Sequence, residues 1–412
     1  MPIDFVCPCG KQLHAPTGAA GKRARCPKCG TIVTVPDVPA NLYDTPVPAP
    51  TVKPHLAYAS PYSAPRMPFY RRFTYCLLLL ALIPLIISTF KPHVSLRDHL
   101  FQSIEAHPEV DEQVSAIVEA HQKDEDPGDM TDEIIATLPG HHVDGALLAL
   151  ESHAHWVIAL AFAVAYFLFL LLFFKGSRKY TKGLLFSGIF TGTAGILLLL
   201  AFQFAAFSMP LIIPRGIVGL ILLIVKLIGL SYSLADDPNK GFLLSFVGYT
   251  CGVGLCEEIT KIIPLLFRIK PIPGEEDPTW NSLLLWGLAS GFGFGIAEGI
   301  MYSGRYYNGI EGLDMYLVRF ISCVTLHAMW AGAAGIMVYR RQGDLLGAGD
   351  NWTYCGRVVL IVLVPMTLHG LYDTLLKKDL DALALVVAVA SFAWLAFQIE
   401  RQQKQEPLAI AS

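Results

Sequence analysis

The stretch Phe242–Phe267, FLLSFVGYTCGVGLCEEITKIIPLLF, decides how the rest of the chain reads. It is apolar over a length that crosses a bilayer, for which about 20 residues suffice. Yet it carries Glu257, Glu258 and Lys261. A charged side chain at the centre of a membrane helix costs roughly 2.5–3.5 kcal/mol in insertion experiments unless it is paired or hydrated. On a helix, Lys261 follows Glu257 by four residues and Glu258 by three, so it reaches either carboxylate on one face. An ionisable cluster inside an apolar helix is a functional-site candidate by default. The later apolar segments each bring a polar residue of their own: Glu298, His327, then His369 with Asp373.

The composition agrees with a membrane setting. Of 412 residues, 53% are hydrophobic and 16% charged, where a soluble domain carries about a quarter charged. This predicts an all-α polytopic membrane protein with about nine transmembrane helices, between eight and ten. The net charge of −3 says little, because the charges are segregated along the chain. Four of the nine cysteines (Cys7, Cys9, Cys26, Cys29) lie near the start and five stand singly in or beside apolar segments, unlike a secreted disulfide framework. Met1–Gly10 lacks a basic-then-apolar signal, so the N-terminal part is expected in the cytosol.

Residues 235–400, the fifth span included, read as one core and 401–412 as a polar tail. The sixth span, Ser282–Tyr302, has Gly287, Gly291, Gly295 and Gly299 four apart on one face, a stripe that lets a neighbouring helix approach closely. Glu298 adjoins the stripe. The seventh, Met315–Tyr339, holds His327 with Ala331 and Gly335 on the same side and ends at Arg340-Arg341. The eighth, Val358–Leu376, places His369 and Asp373 one turn apart, and the ninth is Leu380–Phe397.

Upstream, residues 156–234 hold further spans: Trp156–Phe174, followed by the inside signal Lys175, Arg178, Lys179 and Lys182, then Gly183–Ser208 and Ile212–Leu234 around Pro210 and Pro214. Lys226 is expected either to pair with a membrane carboxylate or to snorkel to an interface. The first span, 71–90, follows Arg71-Arg72 and should exit the cytosol. Residues 91–155 contain fourteen Asp/Glu, three Lys/Arg and eight of the twelve histidines. Helical periodicity over Ser95–His107, Val110–His121 and Thr131–Leu138 predicts a small acidic, extracytoplasmic insert. Its histidines read as a solvated surface, with His141-His142 and His153-x-His155 the pairs to watch. The charge signals conflict: Arg340-Arg341 and the tail look cytosolic, which puts 235–241 outside, whereas counting four spans from a cytosolic start puts them inside.

Residues 37–70, rich in Pro, Ala, Tyr and Ser, read as a linker. Residues 1–36 read as a module stapled by zinc: Cys7-Pro-Cys9-Gly and Cys26-Pro-Lys-Cys29-Gly form two knuckles able to share one tetrahedral ion. They resemble a zinc ribbon, although the first is C-x-C where C-x-x-C is usual. Its basic residues favour a solvated surface over nucleic-acid binding.

Glu257, Glu258, Glu298, His327, His369 and Asp373 fall on four successive spans. Three chemistries fit them. A glutamate held in a low-dielectric cavity can act as general base for hydrolysis. Alternatively, His327, His369 and a carboxylate such as Glu257 can ligate a divalent metal with water in the fourth position. The same groups can relay protons in a coupled carrier, although no internal symmetry between the halves favours a transporter.

Glu257-Glu258-x-x-Lys261, Phe294-x-x-x-Glu298, His327 within Leu-His-Ala-Met-Trp-Ala-Gly, and His369-Gly-Leu-Tyr-Asp373 resemble the four motifs of PrsW-type intramembrane proteases. These belong to the superfamily of CAAX-prenyl proteases and bacteriocin-processing enzymes. The resemblance covers roughly residues 240–400 and departs at Gly299, where Asn is common. It implies an integral protein of the plasma or inner membrane that cleaves a membrane-anchored peptide substrate, in the best-known type an anti-sigma factor. Glu257 and Glu258 would include the water-activating base, supported by Lys261. Glu298 and His327 would orient water or bind a metal, and His369 and Asp373 would face the scissile carbonyl. The family is described as both glutamic and metal-dependent. Non-proteolytic, immunity-like or scaffold relatives form the alternative reading.

Overall fold

The computed structural model describes residues 3–7, 11–27, 32–36, 67–90, 96–121, 127–149, 152–174, 181–208, 216–237, 239–270, 277–302 and 312–405. Cys9, Cys29 and the expected linker as far as residue 66 lie outside them. The chain divides into two units, residues 1–66 with 403–412 and residues 67–402.

The N-terminal unit is two antiparallel hairpins. Strand β1 (Ile3–Val6) pairs with β2 (Gln12–Ala15), and β3 (Arg23–Arg25) with β4 (Ile32–Thr34). In β2 the period-two pleat buries Leu13 and Ala15 and exposes Gln12 and His14. Cys7 and Cys26 each directly follow a strand and are buried in one cluster with Leu13, Phe5 and Val33. A core this small does not hold a unit together without a staple.

In the second unit, nine helices among the described residues are long and apolar enough to cross a membrane. The protein is an all-α polytopic membrane protein. The first span, in α1 (Met67–Thr89), leads to three short helices, α2 (Leu96–Ala106), α3 (Asp111–Ala120) and α4 (Pro127–Thr137). These close over Val110, Ile135, Leu138 and Val143. In this acidic insert, His107 lies 3.2 Å from Glu109 and 3.4 Å from Asp144, and His121 3.9 Å from Glu133. His155 stacks on Tyr316 at 5.7 Å. No insert histidine joins a metal-sized group among the described residues.

The second span is α5 (Ala154–Phe173). The third runs through α6 (Thr181–Phe190), a π-helical turn at Thr191–Gly195 and α7 (Ile196–Ser208), and the fourth lies in α8 (Ile217–Asp236). Both are of spanning length, so the conflict between charge signals is not relieved by losing a pass. Lys226 makes no ion pair with a carboxylate among the described residues. Its Nζ donates to the Ala206 carbonyl of the third span at 3.1 Å, satisfying a main-chain acceptor near a helix end, where carbonyls lack intrahelical donors.

The fifth span joins α9 (Phe242–Gly248), a π turn at Tyr249–Gly254 and α10 (Leu255–Arg268), and the sixth is α11 (Trp280–Tyr302). The seventh joins α12 (Leu313–Leu317), a π turn at Val318–Cys323 and α13 (Val324–Leu346). The eighth is α14 (Asn351–Lys377) and the ninth α15 (Asp381–Gln405). Burial reaches 83% and 89% in the sixth and seventh spans against 17% in the second and fourth, so that pair forms the centre.

The glycine stripe explains how the central pair packs. A Cβ at Gly295 would stand 2.8 Å from Val324 Cα, and one at Gly291 2.5 Å from Ala328 Cα, so the two backbones touch where only glycine leaves room. The fifth and eighth spans meet the same way, with Gly254 against the Met366 carbonyl and Gly370 against Thr250.

Candidate active site

The four inner helices bring the polar side chains together. On α10, a 3.6-residue period sets Glu257, Glu258 and Lys261 on the buried side. Lys261 and Glu258 are both fully buried, with Nζ 2.7 Å from Glu258 Oε1 and 3.6 Å from Glu257 Oε2. The same ammonium lies 2.6 Å from His327 Nδ1 and 4.4 Å from the centre of the Phe294 ring. A buried lysine without an acid would be strongly destabilising; here hydrogen bonds and an aromatic face enclose it.

His327 comes from α13, held against α11 by Gly291. With Lys261 donating to Nδ1, the ring N–H is on Nε2, which makes an ion-pair contact with Glu298 Oε2 at 2.7 Å. The other Glu298 oxygen meets Arg319 at 2.5 Å. His369, from α14, lies flat on Trp330 with ring centres 4.5 Å apart. Its Nδ1 sits 3.0 Å from Glu258 Oε1, and its Nε2 3.7 Å from Glu257 Oε2 and 3.3 Å from Asp373 Oδ2. Thus all seven residues singled out from the sequence, Lys261 included, stand in one network. Asp373 marks its rim, at 24% exposed, against 9% or less for the Glu257 and His369 side chains.

The π turns are the feature that the hydropathy pattern does not show. All three flank this network: Tyr249–Gly254 enters α10 just before Glu257, Val318–Cys323 contains Arg319, and Thr191–Gly195 contains Thr191. Thr191 Oγ1 meets Ser290 Oγ at 2.8 Å, and Ser290 Oγ donates to the Lys261 carbonyl at 2.6 Å. Such turns gather at functional sites. Arg319 was legible in principle, since a lone arginine in an apolar run incurs the same insertion cost that exposed the glutamates.

The donor set fits a divalent cation. Glu257, His327 and His369 offer ligand atoms within 4.8 Å of one another, all buried. Glu257 Oε2 has no hydrogen-bond partner. If His369 Nδ1–H donates to Glu258, the Nε2 lone pair faces the carboxylates of Glu257 and Asp373, an arrangement that a cation relieves. A carboxylate behind a ligating histidine is the usual support for such a ligand. A cation there would take the His327 Nδ1 lone pair in place of the Lys261 ammonium, which now lies between His327 Nδ1 and Glu257 Oε2.

Among known proteins, residues 197–397 match the model of one family, described as PrsW family intramembrane metalloprotease. The match takes in every residue of the network. No curated protein and no solved structure matches the chain.

Proposed function

The chain belongs, over residues 197–397, to the PrsW family of intramembrane metalloproteases, and on that premise we propose that it hydrolyses a peptide bond in or beside the membrane segment of a membrane-anchored protein, of the anti-sigma-factor kind. The observation that carries the reading is the convergence of Glu257, Glu258, Glu298, His327 and His369, from four helices, into one buried chain of ion-pair contacts.

In this reading Glu257 is the base, because its buried Oε2 has no hydrogen-bond partner and so can hold a water, whereas Glu258 is fixed through Oε1 by Lys261 and His369. The water oxygen bonds to the scissile carbonyl carbon as its proton passes to Glu257. The C–N bond then breaks, and Glu257 returns the proton to the leaving amine. Glu258, fixed by Lys261, orients His369 through Nδ1. His369 and Asp373 face the carbonyl oxygen as proton or oxyanion partners. Glu298 and His327 orient the water. A divalent cation held by Glu257, His327 and His369 would supply Lewis-acid polarisation and a more acidic water.

The test is purified protein offered a panel of transmembrane peptides, read by mass spectrometry with and without a chelator. Cuts within or beside the apolar segment are expected, and their abolition by the chelator would assign the chemistry to the metal. No cut in any peptide would end the reading.

The N-terminal unit is proposed to hold one structural zinc through Cys7, Cys9, Cys26 and Cys29, supported by the joint burial of Cys7 and Cys26. Metal analysis of Cys26→Ser should show one zinc fewer per chain than wild type, and equal zinc would refute it. This unit is proposed to lie in the cytosol and the acidic insert outside. An impermeant maleimide on whole cells should therefore label Glu112→Cys, and labelling only after lysis would reverse the orientation.

A further inference from the structure

We propose that Arg319 is a positioning residue for the hydrolytic site, delivered by the π turn Val318–Cys323 and held there by Tyr166 of the second span. The inference rests on the hydrolytic reading above and extends it to a residue outside the four motifs.

Helical phase gives the first argument. Arg319 and His327 are eight residues apart. In an unbroken α-helix that separation turns them about 80° away from each other, at 100° per residue. A turn closed between residues i and i+5 takes up one residue more, leaving about seven α-helical steps and a mismatch of about 20°. The π turn thus brings both side chains to one face, where both reach Glu298: Arg319 at Oε1, 2.5 Å, and His327 Nε2 at Oε2, 2.7 Å. With one oxygen tied to the guanidinium, the other is aimed at the imidazole. His327 is fixed as the Nε2–H tautomer, its Nδ1 turned to Lys261 at 2.6 Å.

The second argument is what maintains the turn. Widening a helix from α to π disturbs its carbonyl ladder, and inside a membrane an unmet carbonyl is costly. The Tyr166 hydroxyl lies 3.0 Å from the Phe320 carbonyl, 3.1 Å from that of Ile321 and 3.3 Å from Thr325 Oγ1. Its ring is pinned on Phe292 of the sixth span, with centres 4.3 Å apart. A side chain from a helix that contributes nothing else to the network therefore satisfies the turn carrying Arg319.

The experiment compares wild type, Arg319→Gln, Arg319→Lys, Glu298→Gln, the Arg319→Gln/Glu298→Gln double variant and Tyr166→Phe. The readouts are kcat and KM on a cleaved transmembrane peptide and 15N imidazole NMR of His327, assigned by His327→Gln. Arg319→Gln should lower kcat about 100-fold, the cost of a 1 Å misplacement, with KM little changed. Arg319→Lys should recover some of that loss, since a lysine keeps the charge without the planar fork. Because Arg319 acts through Glu298, the double variant should be no slower than Glu298→Gln alone. Tyr166→Phe should shift kcat in the same direction. The His327 spectrum should show one tautomer in wild type and a mixture in Arg319→Gln. Equal losses from Arg319→Gln with and without Glu298, or a His327 spectrum unmoved by the substitution, would overturn the proposal. Wild-type protein that cuts no peptide would remove the hydrolytic reading instead, and the tautomer result would then decide the positioning role alone.

Discussion

Gly291→Ala tests how the network is held. The added Cβ would lie 2.5 Å from Ala328 Cα and 2.6 Å from Ala328 N, with the His327 carbonyl against it as well. Non-bonded carbons rest at about 3.5–4.0 Å. The seventh span must therefore withdraw by about 1 Å, and the obstructing atoms are main chain, which no rotamer change can move. His327 goes with them. Its contacts to Glu298 at 2.7 Å and Lys261 at 2.6 Å would be stretched beyond hydrogen-bond length. Misplacement on that scale costs about 100-fold in rate. Local propensity works the other way, because alanine favours a helix over glycine by about 0.8–1 kcal/mol. A loss of activity could then not be ascribed to a weakened helix. The assay is kcat on a cleaved peptide beside thermal stability in detergent. Gly343→Ala serves as control, on the same helix with nothing within 4 Å of the new Cβ. Wild-type kcat in Gly291→Ala would refute the argument that the glycine stripe sets His327.

Glu257→Gln, Glu258→Gln and His369→Ala should each abolish cleavage of a co-expressed single-span reporter at normal membrane levels; undiminished cleavage in all three would remove the enzymatic reading. Lys261→Met leaves Glu258 buried without its ammonium, and breaking a buried pair costs about 3–5 kcal/mol. A clear fall in melting temperature is expected, and an unchanged melt would show that the pair holds nothing. At the aqueous start of the eighth span, Asp350 caps α14 by accepting from the Thr353 amide at 2.9 Å and its hydroxyl at 2.6 Å. These bonds to the ionised carboxyl hold its pKa below the ordinary 3.8. The folded pKa is the lower one, so the cap's contribution is complete above 3.8 and fades as pH falls through the folded value. A carboxyl NMR titration should put the midpoint below 3.8, and a midpoint at or above it would contradict the cap.

The spans were legible because a bilayer demands long apolar runs, and the network because ionisable residues in such runs stand out. Glu298, His327 and His369 needed no structure to be noticed. Their pairing did need one, since insertion cost says that Lys261 requires partners but not that it shares itself between Glu258 and His327. The π turns were hidden because a single residue taken up inside a helix leaves hydropathy unchanged. The partner of Lys226 was hidden for a related reason. Composition offers carboxylates and interfaces as partners for a buried lysine, whereas a frayed carbonyl at Ala206 belongs to the backbone and has no letter in the sequence.

The glycine contacts also bear on how a substrate would enter. The sixth and seventh helices touch main chain to main chain, as do the fifth and eighth at Gly254 and Gly370. Each pair should travel as a rigid body. Between the pairs, the links are made through side chains: Lys261–His327, Trp330–His369, Ser290 on the Lys261 carbonyl, and the apolar cluster of Ile262, Leu265, Leu283, Val338 and Ile361. On the proposed hydrolytic reading, a peptide reaching the network through this seam would have to part side chains and not backbones, so that opening and exposing the reactive groups would be one motion.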